Sequence, residues 1–206
     1  MTHNDTDHAG GAASVIANFE ADEFLSSLPA AHPLHAMVPG SRRCLRGAQW
    51  HWDGVHFALL HPAPEDAAAR RANNLSCVLR VSAGGGSMLL TGDIELAAEQ
   101  ALLERDPGAL RADVLLVPHH GSRTSSSVEF LAAVGPALAV IPVGYRNRFA
   151  HPVPEVLERY AAIHAGILRT DLDGAVSVRL GAAGVEATGE RAQRPRYWRQ
   201  RLSSGG

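Results

Sequence analysis

The sequence predicts one α/β domain (α+β by some schemes), in which helices pack against a central sheet. Three observations support this class. The first half of the chain contains two strand–turn–strand patterns, and the second half alternates apolar strands with helical patterns. The chain has 206 residues, of which 46% are hydrophobic, enough to bury one substantial core. We predict a domain over residues 1–182, followed by a basic, disordered tail over residues 183–206.

The first half of the chain has the signals of an antiparallel sheet. The apolar spacing over residues 10–25 predicts a short amphipathic helix followed by a strand. Asp53–Gly54 separates two alternating apolar runs, which is the strongest short hairpin signal. Residues 77–81 and 87–91 lie on either side of the glycines at 84–86 and predict a second hairpin.

The second half alternates helices and strands, which implies that helices lie on the sheet. Helices are predicted over residues 94–104, 128–134 and 154–164, and strands over 113–118, 138–143 and 175–180. Residues 189–206 contain five arginines around Tyr197 and Trp198, with neither helical nor strand periodicity. This tail could bind nucleic acid or a membrane surface, or remain a solvated end.

Charge and cysteine content limit the possible partners. A formal net charge of -2 gives no overall attraction to phosphate, so contact with nucleic acid needs a local cluster. Cys44 and Cys77 lack the CxxC spacing of a zinc ribbon or redox pair, and a disulfide between them stays open. No apolar run approaches the roughly 20 residues that span a bilayer, and no signal peptide is evident. We expect the chain as it stands to be soluble.

The amino-terminal segment His3-Asn4-Asp5-Thr6-Asp7-His8 is the first candidate site. Four potential metal ligands fall within this segment, and Gly10 and Gly11 allow a tight turn after it. Side chains at alternate positions can converge on one ion, while Asp7 and His8 turn toward a second ion. The spacing therefore predicts a two-metal geometry. The alternative is a polar terminus exposed to solvent.

Two apolar strands end in further candidate ligands. Asp93 follows Leu89-Leu90-Thr91-Gly92, where it could bind metal or cap the next helix. His119 and His120 follow Val114 to Pro118 and precede Gly121-Ser122. Burying two imidazoles needs several hydrogen-bond partners, so the histidine pair favours a functional site over a core role.

Taken in order, these motifs resemble the metallo-β-lactamase-like domain of the ComEC family of DNA-internalisation competence proteins. The resemblance covers residues 2–180. It depends on HxDxDHxGG, then Asn73 to Ser76, TGD, HHGS, Asn147 to Pro152, Arg169-Thr170-Asp171 and Gly174. It implies an αββα sandwich that lacks its first strands, because Met1 lies two residues before His3, and that lacks any membrane channel.

The resemblance also implies a binuclear site. His3 and Asp5 would hold one ion and Asp7 and His8 the other, with Asp93 between them and either His119 or His120 completing the shell. Asp5 replaces the second histidine of the family pattern HxHxDH, and a site richer in hard oxygen ligands favours manganese over zinc or magnesium. Catalytic roles fall to Asp7, Asp93 and His151, although His151 could instead stabilise the turn before Pro152. The candidate substrate-binding residues are Asn73, Ser76, Ser122, Arg123 and Arg148.

The function implied by the resemblance is a metal-dependent DNA phosphodiesterase or nuclease that acts in DNA uptake. Single-stranded DNA is the expected substrate and a membrane channel the expected partner, since the family domain is attached to the bacterial inner membrane. One alternative is a small-molecule metallohydrolase of the same fold, such as a lactonase or thioesterase. The other is a truncated remnant without catalysis, or with only an interaction role.

Overall fold

A mixed seven-stranded sheet forms the centre of the computed structural model, which describes residues 1–69 and 71–194. Its strands follow one another in chain order across the sheet. They are β3 (Gln49–Trp52), β4 (Val55–His61), β5 (Val78–Ala83), β6 (Gly86–Leu90), β7 (Val114–Leu116), β8 (Leu138–Ile141) and β9 (Gly166–Arg169). Strands β3 to β6 pair antiparallel, and β6 to β9 pair parallel. This arrangement confirms the predicted class.

Both predicted hairpins are present in the antiparallel half of the sheet. Asp53 and Gly54 turn the chain between β3 and β4 with φ angles of 48° and 77°. A left-handed turn of this kind matches the twist of the flanking strands, and Asp-Gly adopts it readily. The second hairpin joins β5 to β6, with Ala83 opposite Gly86.

Three helices cover one face of the sheet, namely α3 (Leu96–Arg105), α4 (Val128–Val134) and α5 (Pro154–Ala162). They bury the main core, which includes Leu89, Leu115, Phe130, Ile141 and Tyr160. Helix α4 has the predicted bounds. Helix α3 begins two residues later than predicted because the chain remains extended at Glu95. None of the helices in residues 1–69 and 71–194 is long and apolar enough to cross a membrane.

The amino-terminal segment packs at the end of the central sheet where β6 and β7 terminate. It contains α1 (Thr6–Ala9), α2 (Ala12–Asn18) and the parallel pair β1 (Glu23–Ser26) and β2 (Gly40–Arg43). The amino group of Met1 donates to the carbonyl of Leu25 at 2.6 Å. A disulfide joins Cys44, which follows β2, to Cys77, which precedes β5. This bond resolves the alternative that the sequence left open and ties the segment to the central sheet.

The boundary predicted at residue 182 falls in the turn of a hairpin. Strand β10 (Val176–Gly181) pairs antiparallel with β11 (Gly184–Gly189), and the short helix α7 (Glu190–Gln193) follows. Arg191 belongs to the predicted tail, yet its guanidinium donates to the carbonyls of Asp171 and Leu172 at 2.6 and 2.8 Å. The carbonyls lie in α6 (Thr170–Asp173). The remaining tail residues, 195–206, lie outside the described residues.

Candidate metal centre

His3 is buried at the start of the chain, with 1% of its surface exposed. Its Nδ1 atom lies 3.1 Å from the Thr2 hydroxyl and 3.3 Å from the Ser76 hydroxyl. With a proton on Nδ1 shared between these two oxygens, the lone pair on Nε2 is free to bind a ligand. Nε2 is itself buried and has no hydrogen-bond partner among the described residues. A buried imidazole nitrogen without a partner is costly, and a bound cation would remove that cost.

Asp93 leaves the end of β6 through a glycine that no other residue could replace without strain. Gly92 has a φ of +55°, and a Cβ atom there would lie 2.9 Å from Cβ of Thr2 and 3.0 Å from Cβ of Ser76. The amide of Asp93 donates to the Ser76 hydroxyl at 3.2 Å. The close approach at Gly92 therefore brings the Asp93 carboxylate directly against the His3 segment.

The turn after β7 places His120 opposite Asp93. His119, His120 and Gly121 are three consecutive left-handed residues, with φ angles of 48°, 54° and 80°. For a non-glycine residue this conformation costs about 1–2 kcal/mol, so surrounding contacts must hold it. Nδ1 of His120 donates to the carbonyl of Pro142 at 2.6 Å, which directs Nε2 toward the site.

Four side chains meet to form a cluster that can hold a cation. Nε2 of His8 lies 3.2 Å from Oδ1 of Asp93, and Nε2 of His120 lies 3.4 Å from Oδ2 of Asp93 and 3.2 Å from Oδ2 of Asp7. The ligand atoms of Asp7, His8, Asp93 and His120 all lie within 4.8 Å of one another. Ligands about 2.1 Å from an ion in a tetrahedral site are about 3.4 Å apart, so these separations fit a metal centre.

A second pair of ligands shares Asp93 with this cluster. Nε2 of His3 lies 3.5 Å from Oδ2 of Asp5 and 3.9 Å from Oδ2 of Asp93. The carboxylate of Asp93 is thus approached by three imidazoles. If two ions were bound, Asp93 would be close enough to both ligand sets to contribute to each.

The electrostatics of the cluster depend on Asp93. Burial alone would raise the pKa of this carboxyl, but hydrogen bonds from His120 and His8 hold its pKa well below the usual range. The hydrogen bond to Asp93 raises the pKa of His120 to about 9 and also raises the pKa of His8. Burial lowers the pKa of His3. The protein alone therefore balances the carboxylate with imidazolium charge, which a divalent ion would replace.

His119 does not join the cluster, so His120 is the member of the histidine pair that faces the ligands. Nδ1 of His119 lies 3.6 Å from Oε1 of Glu95 and 3.3 Å from the Thr124 hydroxyl. Its Nε2 atom lies 3.4 Å from Nδ2 of Asn73. The choice between His119 and His120 as a ligand stays a prediction, and of the two only His120 lies among the clustered ligand atoms. The structure places it beside the cluster, next to the predicted substrate residue Asn73.

Ser76, a predicted substrate-binding residue, lies in the interior between His3 and Asp93. It is fully buried and contacts both His3 and the amide of Asp93. Ser122 is buried as well, and its hydroxyl lies 3.1 Å from that of Thr124. Arg123 is exposed and paired with Glu155 at 2.9 Å. The structure does not bring Ser122 or Arg123 into the cluster.

His151 and Arg148 lie on a loop next to His119. The rings of His151 and His119 are 5.9 Å apart, centroid to centroid. Burial and the neighbouring His119 lower the pKa of His151. Arg148 is exposed, and its guanidinium lies 4.7 Å from the centre of the Phe149 ring. Both residues are therefore near the histidines without belonging to the ligand cluster.

Glu95, which was not predicted to belong to the site, organises the polar groups around His119. Its buried carboxylate accepts hydrogen bonds from Arg71 and Thr124. Its backbone amide donates to the side-chain oxygen of Asn74 at 3.0 Å. The signal available in the sequence was an acidic residue two positions after Asp93. The helix predicted over residues 94–104 places Glu95 in its first turn, where acidic residues are common.

The Arg169-Thr170-Asp171 motif supports the cluster through the backbone next to Pro142. The Thr170 hydroxyl accepts from the amide of Val143 at 2.7 Å and donates to the carbonyl of Val143 at 2.8 Å. These bonds fix the chain beside Pro142, whose carbonyl holds His120. The guanidinium of Arg169 binds the carboxylate of Asp171 through two hydrogen bonds.

Comparison with known proteins agrees with this geometry. Residues 1–145 match the metallo-beta-lactamase superfamily. The chain is 39% identical to competence protein ComA of Neisseria gonorrhoeae over 98% of this chain and 28% of that protein. It is 36% identical to recombination protein 2 of Haemophilus influenzae over 86% of this chain and 21% of that protein. It is 33% identical to ComE operon protein 3 of Bacillus subtilis over 87% of this chain and 24% of that protein.

The chain spans about a quarter of the length of these curated relatives. The similarity nevertheless covers most of this chain, including all the elements that build the cluster. Superfamily members bind divalent metal ions, usually two, and the cluster of Asp7, His8, Asp93 and His120 could hold a metal ion. The chain therefore belongs to the metallo-β-lactamase superfamily and is similar over most of its length to competence proteins of the ComEC type.

Proposed function

We propose that the domain is a metal-dependent phosphodiesterase that cleaves DNA, preferably single-stranded, during DNA uptake. The observation that carries the proposal is the buried Asp93 carboxylate, which has three imidazole nitrogens within 4 Å, those of His3, His8 and His120. The competence names of the similar proteins support the same biological role. The association with a membrane channel at the inner membrane, expected from the resemblance, is part of this proposal.

In this proposal, one ion is held by Asp7, His8, Asp93 and His120, and the other by His3, Asp5 and Asp93. When bound, a pair of divalent ions lowers the pKa of water and neutralises charge on a phosphodiester. Three of the six side chains are carboxylates, and hard oxygen ligands favour manganese over zinc. We therefore propose manganese as the preferred ion.

His151 suits a role in orienting the substrate phosphate. Because burial lowers its pKa, the imidazole is neutral near pH 7 and has one N–H to donate. A neutral imidazole is a poor source of the proton for a leaving oxygen, so the orienting role fits better than the acid role. Asn73 has an amide nitrogen beside His119 and can offer a second donor to the substrate.

The test is hydrolysis of end-labelled single-stranded DNA by the purified chain with added manganese. Asp7→Asn removes a ligand, and Asp53→Asn is the matched control in an exposed hairpin turn. We expect cleavage by the wild type and by Asp53→Asn, with at least a hundredfold loss in Asp7→Asn. Absence of cleavage together with absence of stabilisation by manganese would support the inactive-remnant alternative. Hydrolysis of lactones or thioesters, but not of DNA, would support the small-molecule alternative.

A further inference from the structure

The loop of residues 144–151, next to His119, exposes two aromatic rings. Tyr145 is 53% exposed and Phe149 is 61% exposed. Two large exposed aromatic side chains on one loop offer flat apolar faces to a ligand. Because this loop directly follows the strand end that holds His120, whatever binds these rings lies beside the candidate metal centre.

The side chain of Asn147 fixes the conformation of this loop through hydrogen bonds to its backbone. Its side-chain nitrogen donates to the carbonyl of His151 at 2.7 Å, and its side-chain oxygen accepts from the amides of Phe149 and His151 at 3.2 and 3.0 Å. Arg146 and Ala150 adopt left-handed backbone conformations, each with a φ of 53°. The side chains of residues 145, 148 and 149 are consequently displayed outward by an organised loop.

A positively charged guanidinium group lies beside each exposed ring. The Arg146 guanidinium lies 5.2 Å from the centre of the Tyr145 ring, and that of Arg148 lies 4.7 Å from the centre of the Phe149 ring. Neither arginine forms an ion pair with a carboxylate among residues 1–69 and 71–194. Two guanidinium groups without carboxylate partners are available to phosphate, next to two flat apolar faces.

The aromatic surface continues toward the metal centre. The Phe149 ring stacks on His151 at 5.8 Å with an interplanar angle of 19°, and His151 lies 5.9 Å from His119. His119 is adjacent in sequence to the ligand-facing His120, and their rings are 6.3 Å apart. A nucleotide bound at Phe149 would therefore lie beside a row of imidazole rings that leads to His120.

We propose that the loop of residues 144–151 is a base-stacking subsite for single-stranded nucleic acid. Phe149 and Tyr145 supply the stacking faces, and Arg146 and Arg148 contact backbone phosphates. An exposed ring can stack only on a base that is not already stacked within a duplex, so the subsite selects single strands. This inference rests on the proposed phosphodiesterase function, because it assigns the strand entering that site.

The test is binding, measured without metal so that hydrolysis cannot interfere. The probes are a fluorescent oligothymidylate and an abasic oligonucleotide of equal length, which has the phosphates but no bases. We expect the wild type to bind the oligothymidylate at least ten times more tightly than the abasic probe. Loss of one stacking contact weakens binding by about 5- to 150-fold, so Phe149→Leu should lose this much on oligothymidylate and little on the abasic probe.

Two further variants separate stacking from charge and from general surface effects. Arg148→Gln should weaken both probes and reduce the salt dependence of binding by about one unit of slope. Trp52→Leu removes another exposed aromatic ring, 68% exposed on the β3–β4 hairpin, and should leave binding unchanged. All of these side chains are exposed, so we expect each variant to fold normally.

Equal loss on both probes in Phe149→Leu, or no loss on either, would overturn the subsite. Binding to anionic phospholipid vesicles with the same dependence on Phe149, without binding to oligothymidylate, would also overturn it and identify a membrane contact instead. Failure of the wild type to hydrolyse DNA in manganese would contradict the proposed function, while base-dependent binding without metal would still establish the subsite.

Discussion

The Nε2 atom of His3 faces Oδ2 of Asp93 at a distance of 3.9 Å, and this buried nitrogen forms no hydrogen bond in the described part of the chain. The backbone of Thr2 contributes to this placement, because its carbonyl accepts from the amide of Cys77 at 3.2 Å. Ser76, the neighbour of Cys77, contacts both sides of the pair. The relationship between His3 and Asp93 is thus held by a small set of residues that can be tested individually.

The Ser76→Ala variant should bind metal more weakly. Loss of a residue that orients metal ligands typically costs 10- to 100-fold in affinity, and we expect a loss of this size for manganese in calorimetric titration. The matched control is Ser87→Ala, which removes another buried serine, one that donates to Asp113 at 3.0 Å. It should lower stability without changing metal affinity. Equal metal affinity in both variants would show that Ser76 does not support the site.

Substitution of Gly92 by alanine should damage the site beyond the cost of its backbone conformation. Gly135 is the matched control, because it has a similar φ of +58° but nothing within 4 Å of an added Cβ atom. Gly135→Ala should lower the free energy of unfolding by about 1–2 kcal/mol, the cost of the left-handed conformation. Gly92→Ala adds clashes with Thr2 and Ser76, for a further cost of about 1–3 kcal/mol.

Chemical denaturation of the two glycine variants, with and without manganese, measures this difference. Gly92→Ala should also lose the stabilisation by manganese that the wild type and Gly135→Ala retain. Similar stabilities for the two variants would mean that the contact at Gly92 does not constrain the chain.

The disulfide between Cys44 and Cys77 should contribute substantially to stability. It closes a loop with a sequence separation of 33, for which the chain-entropy relation gives about 3–4 kcal/mol. We expect the Cys44→Ser/Cys77→Ser double variant to lose this much in urea denaturation, and reductant to destabilise only the wild type. Mass spectrometry of the unreduced, alkylated protein supplies the control. Free thiols in a fully stable protein would contradict the prediction.

His61 should make stability depend on pH. Burial lowers its pKa below the ordinary 6.5. Above pH 6.5 the imidazole is neutral in both the folded and unfolded chain, so it has no effect there. As pH falls below 6.5, the unfolded chain takes up the proton first, and the free energy of unfolding decreases by up to about 1.4 kcal/mol per pH unit.

The measurement is urea denaturation in chelator between pH 7 and pH 5. His61→Gln should show a smaller decrease in stability over this range, since the titrating group is gone. The control is His51→Gln, which changes an exposed histidine on β3 and should keep the slope of the wild type. An unchanged slope in His61→Gln would assign the pH dependence to other groups.

Short-range signals explain why much of the fold could be predicted. The Asp53–Gly54 turn and the apolar spacing of α4 each specify a local structure within a few residues. Strands β9 and β11 escaped prediction because each begins with glycine, and β11 alternates small or polar residues with few large apolar ones. Local patterns therefore led to a domain boundary that falls within the β10–β11 hairpin.

The candidate site shows the same limit. The sequence predicted a common site for Asp7, His8 and Asp93, because each belongs to a recognisable motif, and the structure brings their ligand atoms within 4.8 Å of one another. It could not choose between His119 and His120, which are neighbours of the same type. The left-handed backbone and the Pro142 carbonyl make that choice. The supporting role of Ser76 and the position of Glu95 arise only from tertiary contacts.

If the ligands around Asp93 hold two divalent ions, the number of bound ions can be counted directly. Equilibrium dialysis against manganese, followed by elemental analysis, should find two ions per chain in the wild type and in the exposed-histidine control His164→Gln. We expect about one ion per chain in His3→Gln, which loses the position that includes His3. We also expect about one ion in His120→Gln, which loses the position that includes His120. A wild type that binds no manganese, or a His120→Gln variant that still binds two ions, would contradict the account.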